Sequence, residues 1–101
     1  MKTISICTLN AMKENEEKFA VLTAYDYTFS RLIESSSIEV SLVGDSLGNV
    51  IQGCDSTIPV TVDEMAYHTA AVKRGNKRSL LVSDMPFMSY STEVNALDNA
   101  A

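Results

Sequence analysis

Residues 40–49 read V-S-L-V-G-D-S-L-G-N, and the fold turns on how this stretch is parsed. Val40 to Val43 is a short aliphatic run, which suits a parallel strand covered on both faces. It runs through Gly44 into Asp45 and Ser46, two side chains with chemistry to offer. Gly-Asp-Ser-Leu is also the signature of a class of esterases and lipases whose serine is the nucleophile. The other reading ends a strand on an aspartate that holds a metal ion, with the serine as helper.

Similar runs lie on either side, F-A-V-L-T at 19–23 and L-L-V at 80–82, and each of the three leads into an acid: Asp26, Asp45 and Asp84. Helical patterns separate them. Asp26 is an expected N-cap, followed by Phe29, Leu32 and Ile33 at i, i+3, i+4. Thr61-Val62-Asp63-Glu64 is an expected capping box, with Met65, Ala66, Ala70 and Val72 as the inner face of its helix. Lys73 and Arg74 suit its C-terminal end, and Gly75 is the expected C′ residue. A further helix is expected from Ser91, with Glu93 in its first turn and Val94, Leu97 and Ala101 on one face. Residues 47–60 carry no helix signal, so V-I-Q and T-I-P-V around Gly53 are expected as a small hairpin over the site. Strand and helix alternate as in βαβ units of a parallel sheet. The last helix has no Gly, Pro or basic stop, and three units close neither a barrel nor a doubly wound sheet; the expectation is a piece of a longer protein.

In parallel α/β folds the site lies at the carboxyl ends of the strands. Neighbouring strands are ~4.8 Å apart, so acids at their ends can share a cation. Asp45 and Asp84 are therefore a candidate pair for a hard ion such as Mg²⁺, which takes carboxylate oxygens. The plainer reading is that both cap the following helix or loop. The esterase reading needs a histidine base. The sole histidine, His68, lies within a helix, with Met65 where an Asp-x-x-His block needs its acid. His68 shares a helix side with Glu64, and is expected to be a surface or partly buried structural residue rather than a metal ligand. Gly44, Gly48 and Gly53 match neither a dinucleotide fingerprint nor a Walker loop. Tyr25 and Tyr27 are expected to pack at the core or rim, and Met85 and Met88 beside the site.

The bulk properties narrow the function. Of the 101 residues 46% are apolar, enough for a core. A net charge of −5, with basic residues grouped only at Lys73, Arg74, Lys77 and Arg78, speaks against nucleic acid as the main partner. Cys7 and Cys54 have no zinc or C-x-x-C spacing and are expected as free thiols in a reducing compartment. No stretch approaches a membrane span or a signal peptide, so a cytoplasmic protein is expected.

Five motifs occur in order: T-A-Y-D-Y (23–27), V-G-D-S-L-G (43–48), D-S-T-I-P-V-T (55–61), A-Y-H-T-A-A-V-K-R-G (66–75) and D-M-P-F-M-S-Y (84–90). Together they closely resemble the N-terminal part of the ketopantoate hydroxymethyltransferase family, from about Thr3 to the last residue. The resemblance implies that residues 1–101 are an N-terminal fragment of a single (β/α)₈ TIM-barrel domain of the phosphoenolpyruvate/pyruvate type, about three βα units long. It implies transfer of a hydroxymethyl group from 5,10-methylenetetrahydrofolate to 3-methyl-2-oxobutanoate through a Mg²⁺-stabilised enolate. The product is 2-dehydropantoate, in pantothenate biosynthesis. By the family pattern Asp45 and Asp84 are Mg²⁺ ligands, Asp45, Ser46 and Asp84 bind the 2-oxo acid, and the enzyme is a homo-oligomer, typically a decamer. The family's third metal carboxylate, its substrate lysine and its glutamate base fall beyond Ala101, so the chain alone is expected to be inactive. Cys54 stands where many members carry histidine, and Asn49 where a hydrophobic residue is usual. The alternatives are a non-catalytic barrel remnant, another 2-oxo acid barrel enzyme, or the esterase.

Overall fold

The computed structural model describes residues 2–101. Eight elements follow one another: α1 (Ile6–Glu14), β1 (Val21–Thr23), α2 (Tyr27–Ser35), β2 (Val40–Val43), α3 (Leu47–Val50), α4 (Val62–Gly75), β3 (Leu80–Ser83) and α5 (Glu93–Ala100). The strands form one parallel sheet in the order β1-β2-β3, with Val21 opposite Val40 and Val40 opposite Leu80. Each strand adds to the same side of its predecessor. This order fits part of a (β/α) barrel.

All three expected strands are present, the first of them shorter than F-A-V-L-T. Phe19 lies outside the ladder, although Val40 N–H still donates to the Ala20 carbonyl (3.2 Å). Coverage on both faces holds for β2 alone, where Val40, Ser41 and Val43 are buried. Every residue of β1 is exposed, Val21 and Leu22 each at 49%.

The helices begin where their caps dictate. Asp26 Oδ1 accepts from Phe29 N–H (2.8 Å) and starts α2. Thr61 and Glu64 close the expected capping box of α4, with Glu64 N–H to Thr61 Oγ1 at 3.1 Å and Thr61 N–H to Glu64 Oε1 at 2.8 Å. For α5 the cap is Thr92 rather than Ser91. The unexpected α1 starts on a second capping box between Ser5 and Thr8, and it buries no residue. Its apolar residues, Ile6, Cys7, Leu9, Ala11 and Met12, do not line up on one side, so it carries little periodic signal.

The inner faces differ from expectation. On α2 only Ile33 of the apolar triad is buried; Phe29 and Leu32 are 59% and 54% exposed, and Ser30 is buried in their place. On α4 the alanines 66 and 70 are exposed, and the inward stripe is Met65, His68, Thr69, Val72 and Gly75, at i, i+3, i+4, i+7, i+10. Gly75 is the last helical residue rather than a left-handed C′, since the chain leaves through an extended Asn76. A Cβ on Gly75 would stand 3.0 Å from Ser30 Cβ and 3.1 Å from the Tyr27 carbonyl, so this glycine allows α4 to meet α2. Ser30 Oγ seals the contact by donating to the Val72 carbonyl (2.7 Å).

The expected hairpin does not form. Residues 47–50 coil into α3, which buries Leu47 and Gly48, and no strand includes 50–60. A Cβ on Gly48 would lie 2.6 Å from Val60 Cγ2, so the loop closes onto the helix with no room for a side chain. Leu47, Val60, Val43, Ala24, Ile33, Met65 and Val72 make the core. Core demand for Leu47 and Val60 outweighs the β-propensity of the flanking residues.

Candidate active site

The carboxyl ends of the three strands deliver the candidate residues to one rim. Asp84 N–H donates to the Val43 carbonyl (2.9 Å), which carries the β2–β3 ladder one residue past β3. Asp84 thereby stands beside Gly44 and Asp45, and its Oδ2 accepts from Asp45 N–H at 3.1 Å. A Cβ on Gly44 would lie 3.3 Å from that oxygen and 3.4 Å from Ser46 Oγ. Glycine therefore keeps open a small space faced by a carboxylate and a hydroxyl. Asp45 and Ser46 are partly exposed and Asp84 is exposed, so the rim is reachable from solvent.

Ser46 is the first residue at the head of α3, yet its side chain makes no capping bond. Its Oγ lies 2.6 Å from the Tyr25 hydroxyl instead. Tyr25, two residues past β1, is fixed through its backbone: its carbonyl accepts from His68 Nδ1 at 2.8 Å. A carbonyl can only accept, so Nδ1 carries the proton. His68 is thus a partly buried structural residue, as expected, and Tyr25 does more than pack. Among the described residues the serine's partner is a phenol rather than an imidazole, and the sole histidine is engaged with the Tyr25 carbonyl.

The other candidates fall away from the rim. Asp26 spends its carboxylate on the α2 cap. Glu64 is held below the ordinary glutamate range, first by the Thr61 N–H and further by the Thr61 hydroxyl, Gln52 and the nearby His68; partial desolvation opposes them. Its second oxygen accepts from Gln52 Nε2 (2.7 Å), so it offers His68 no shared ligand site. Among the described residues no group of three or more His, Cys, Asp or Glu side chains comes together. Met85 and Asp84 share a groove between α4 and α5 with Thr69 and Ser83, while Asp45 and Ser46 lie outside it. Met88 is exposed with φ 65°, away from the packing role expected of it. No described helix is long and apolar enough to cross a membrane.

Asp45 and Asp84 follow adjacent strands and meet through the Asp45 N–H, while the gap at Gly44 is faced by the Asp84 carboxylate and the Ser46 hydroxyl. Sequence reading named Asp45, Ser46 and Asp84, which the fold brings to one rim, but missed the tie from Tyr25 to Ser46. Its one signal was T-A-Y-D-Y standing at a strand end next to V-G-D-S, which does not specify where the phenol points.

Comparison with known proteins gives the same family as the motifs. The family model described as ketopantoate hydroxymethyltransferase matches residues 3–101. The 3-methyl-2-oxobutanoate hydroxymethyltransferase of Marinobacter nauticus is 54% identical over 98 residues, 97% of this chain and 37% of that protein. The protein of the same name from Escherichia fergusonii is 54% identical over 101 residues, 100% of this chain and 38% of its own length. That from Escherichia coli (strain SE11) is 52% identical over 101 residues, again 38% of its length. The chain spans less than two-fifths of these curated relatives. Its motifs, its strand-end carboxylates and these matches together place it in the ketopantoate hydroxymethyltransferase family.

Proposed function

We propose that residues 1–101 supply the first βα units of a (β/α)₈ barrel of the phosphoenolpyruvate/pyruvate type. In our reading that barrel transfers a hydroxymethyl group from 5,10-methylenetetrahydrofolate to 3-methyl-2-oxobutanoate, in pantothenate biosynthesis. The relatives' printed name supports the acceptor and the reaction class. The observation that carries the reading is the 3.1 Å bond from Asp45 N–H to Asp84 Oδ2 across the Gly44 gap.

Asp45 and Asp84 are the residues that would hold Mg²⁺. Bound there, the ion supplies Lewis-acid polarisation of the 2-oxo group, which acidifies the neighbouring C–H bond. Asp84 keeps one oxygen on the Asp45 amide, which fixes the direction of the carboxylate before any ligand arrives. Ser46 donates to a substrate oxygen without adding charge to a site that already holds two acids. Proton abstraction is assigned to no residue of 1–101. The assembly is read as a cytoplasmic homo-oligomer, a decamer by resemblance.

Isothermal titration tests the reading. Mg²⁺ and 3-methyl-2-oxobutanoate are titrated into the 101-residue chain and into a fusion of this chain with the C-terminal remainder of the Escherichia fergusonii relative. Binding and turnover by the fusion support it. A fusion that folds but binds neither Mg²⁺ nor the 2-oxo acid overturns it, and points to a non-catalytic remnant.

A further inference from the structure

We propose that Tyr25 is a positioning residue that sets the Ser46 hydroxyl toward the 2-oxo acid, with His68 as its anchor. The proposal rests on the reading of Ser46 as a substrate contact. At 2.6 Å the Tyr25–Ser46 contact lies at the short end of O–H···O bonds. A hydroxyl has one proton and two acceptor sites. When the phenol donates, the serine proton is left free for a substrate oxygen; when the serine donates, that proton is spent on the phenol. An anionic substrate accepts only, so it selects the first arrangement.

Tyr25 is built to hold this direction. The residue before it is tied into the sheet, with Ala24 N–H donating to the Leu42 carbonyl at 3.0 Å. Its own carbonyl is gripped by His68 Nδ1 at 2.8 Å. Tyr25 is partly buried and packs against the core cluster. His68 lies on the inward stripe of α4 between Met65 and Val72, both buried. One relay therefore joins α4, the end of β1 and the end of β2.

The experiment is a double-mutant cycle in the fusion enzyme described above, read as kcat and KM for 3-methyl-2-oxobutanoate, with thermal melting alongside. Tyr25→Phe keeps the ring and removes the hydroxyl; it is expected to raise KM by about 3- to 10-fold, the worth of one hydrogen bond, with the melting temperature unchanged. Ser46→Ala is expected to raise KM at least as far. The double variant is expected to be no worse than Ser46→Ala, because Tyr25 acts through Ser46. His68→Leu should resemble Tyr25→Phe, and His68→Asn, which returns an N–H near the Nδ1 position, should recover most of the loss. Unchanged kinetics in Tyr25→Phe, or losses that multiply in the double variant, would overturn the proposal. A Tyr25→Phe loss that tracks a fall in melting temperature would also overturn it, as a packing effect. If Ser46→Ala alone leaves KM unaltered, the substrate role of Ser46 fails first, and that result is distinct from the others.

Discussion

The two ends of the sheet use the same residue types for opposite ends. At the amino-terminal rim, Ser41 and Ser79 form a buried hydroxyl pair at 2.7 Å, and Asn76 Nδ2 reaches Ser79 at 2.7 Å. Glu34 accepts from Arg78 N–H at 2.9 Å and from Ser79 N–H at 3.0 Å. Arg78 is itself buried and donates Nη2 to the Ile38 carbonyl at 2.6 Å. At the carboxyl-terminal rim the hydroxyl pair is Tyr25–Ser46, the acid is Asp84, and the setting is open to solvent. Buried polar groups contribute to stability only when paired. An open rim can leave lone pairs for a ligand, because water serves them meanwhile. One rim pairs nearly all of its buried polar atoms, Arg78 Nε being the exception among the described residues, and holds the fold; the other is left open to ligand and holds the candidate chemistry.

Substitutions at the two rims should therefore separate activity from stability. Asp84→Ala should have the largest effect, lowering metal-dependent proton exchange at C3 of 3-methyl-2-oxobutanoate at least ~100-fold in the fusion enzyme. Its urea midpoint should barely move, since the side chain is exposed. Deuterium exchange followed by NMR reads the first quantity, and wild-type exchange would sink the metal role of Asp84. Glu34→Ala should do the reverse. It strips the partners from two backbone N–H groups and should cost about 1–3 kcal/mol in urea unfolding, leaving KM unchanged.

Ser46→Ala should lower kcat/KM by roughly 10-fold through a raised KM, one hydrogen bond's worth, with activity remaining and stability unaltered. Complete loss with intact metal binding would reopen the nucleophile reading. The smallest effect is a pH dependence. Burial works to raise the pKa of Glu34, but its bonds to Ser79, Lys77 and Arg78 outweigh this and set it below the ordinary 4.5. A depressed carboxylate contributes stability that is present in full above 4.5 and is lost as pH falls through the lower folded value. Glu34→Gln should flatten that part of the stability curve between pH 5 and pH 3, roughly the range over which a carboxylate titrates. An unchanged acid slope would mean that other groups control it.

Much of this frame was legible because its signals are local. V-S-L-V, L-L-V and the caps at Asp26 and Thr61–Glu64 each act within a few residues, and all appear where the letters put them. The apolar letters of α2 misled, since Phe29 and Leu32 look outward while Ser30 faces α4. That choice depends on Gly75, distant in sequence, making room for close packing. The hairpin failed for a similar reason: V-I-Q and T-I-P-V have strand letters, but Leu47 and Val60 are needed in the core.

By itself the sequence determined the order of the three strands, the starts of α2 and α4 and the acid that follows each strand. Periodicity and capping act over one or two turns of chain, so they survive without knowledge of the fold. Only the tertiary structure decided which groups meet: Tyr25 with Ser46, Asp84 with the Asp45 amide, and Glu34 with Ser79. These partners are 21, 39 and 45 residues apart. Their meeting is set by parallel strand register and by the glycines that permit close approach, neither of which a local pattern encodes.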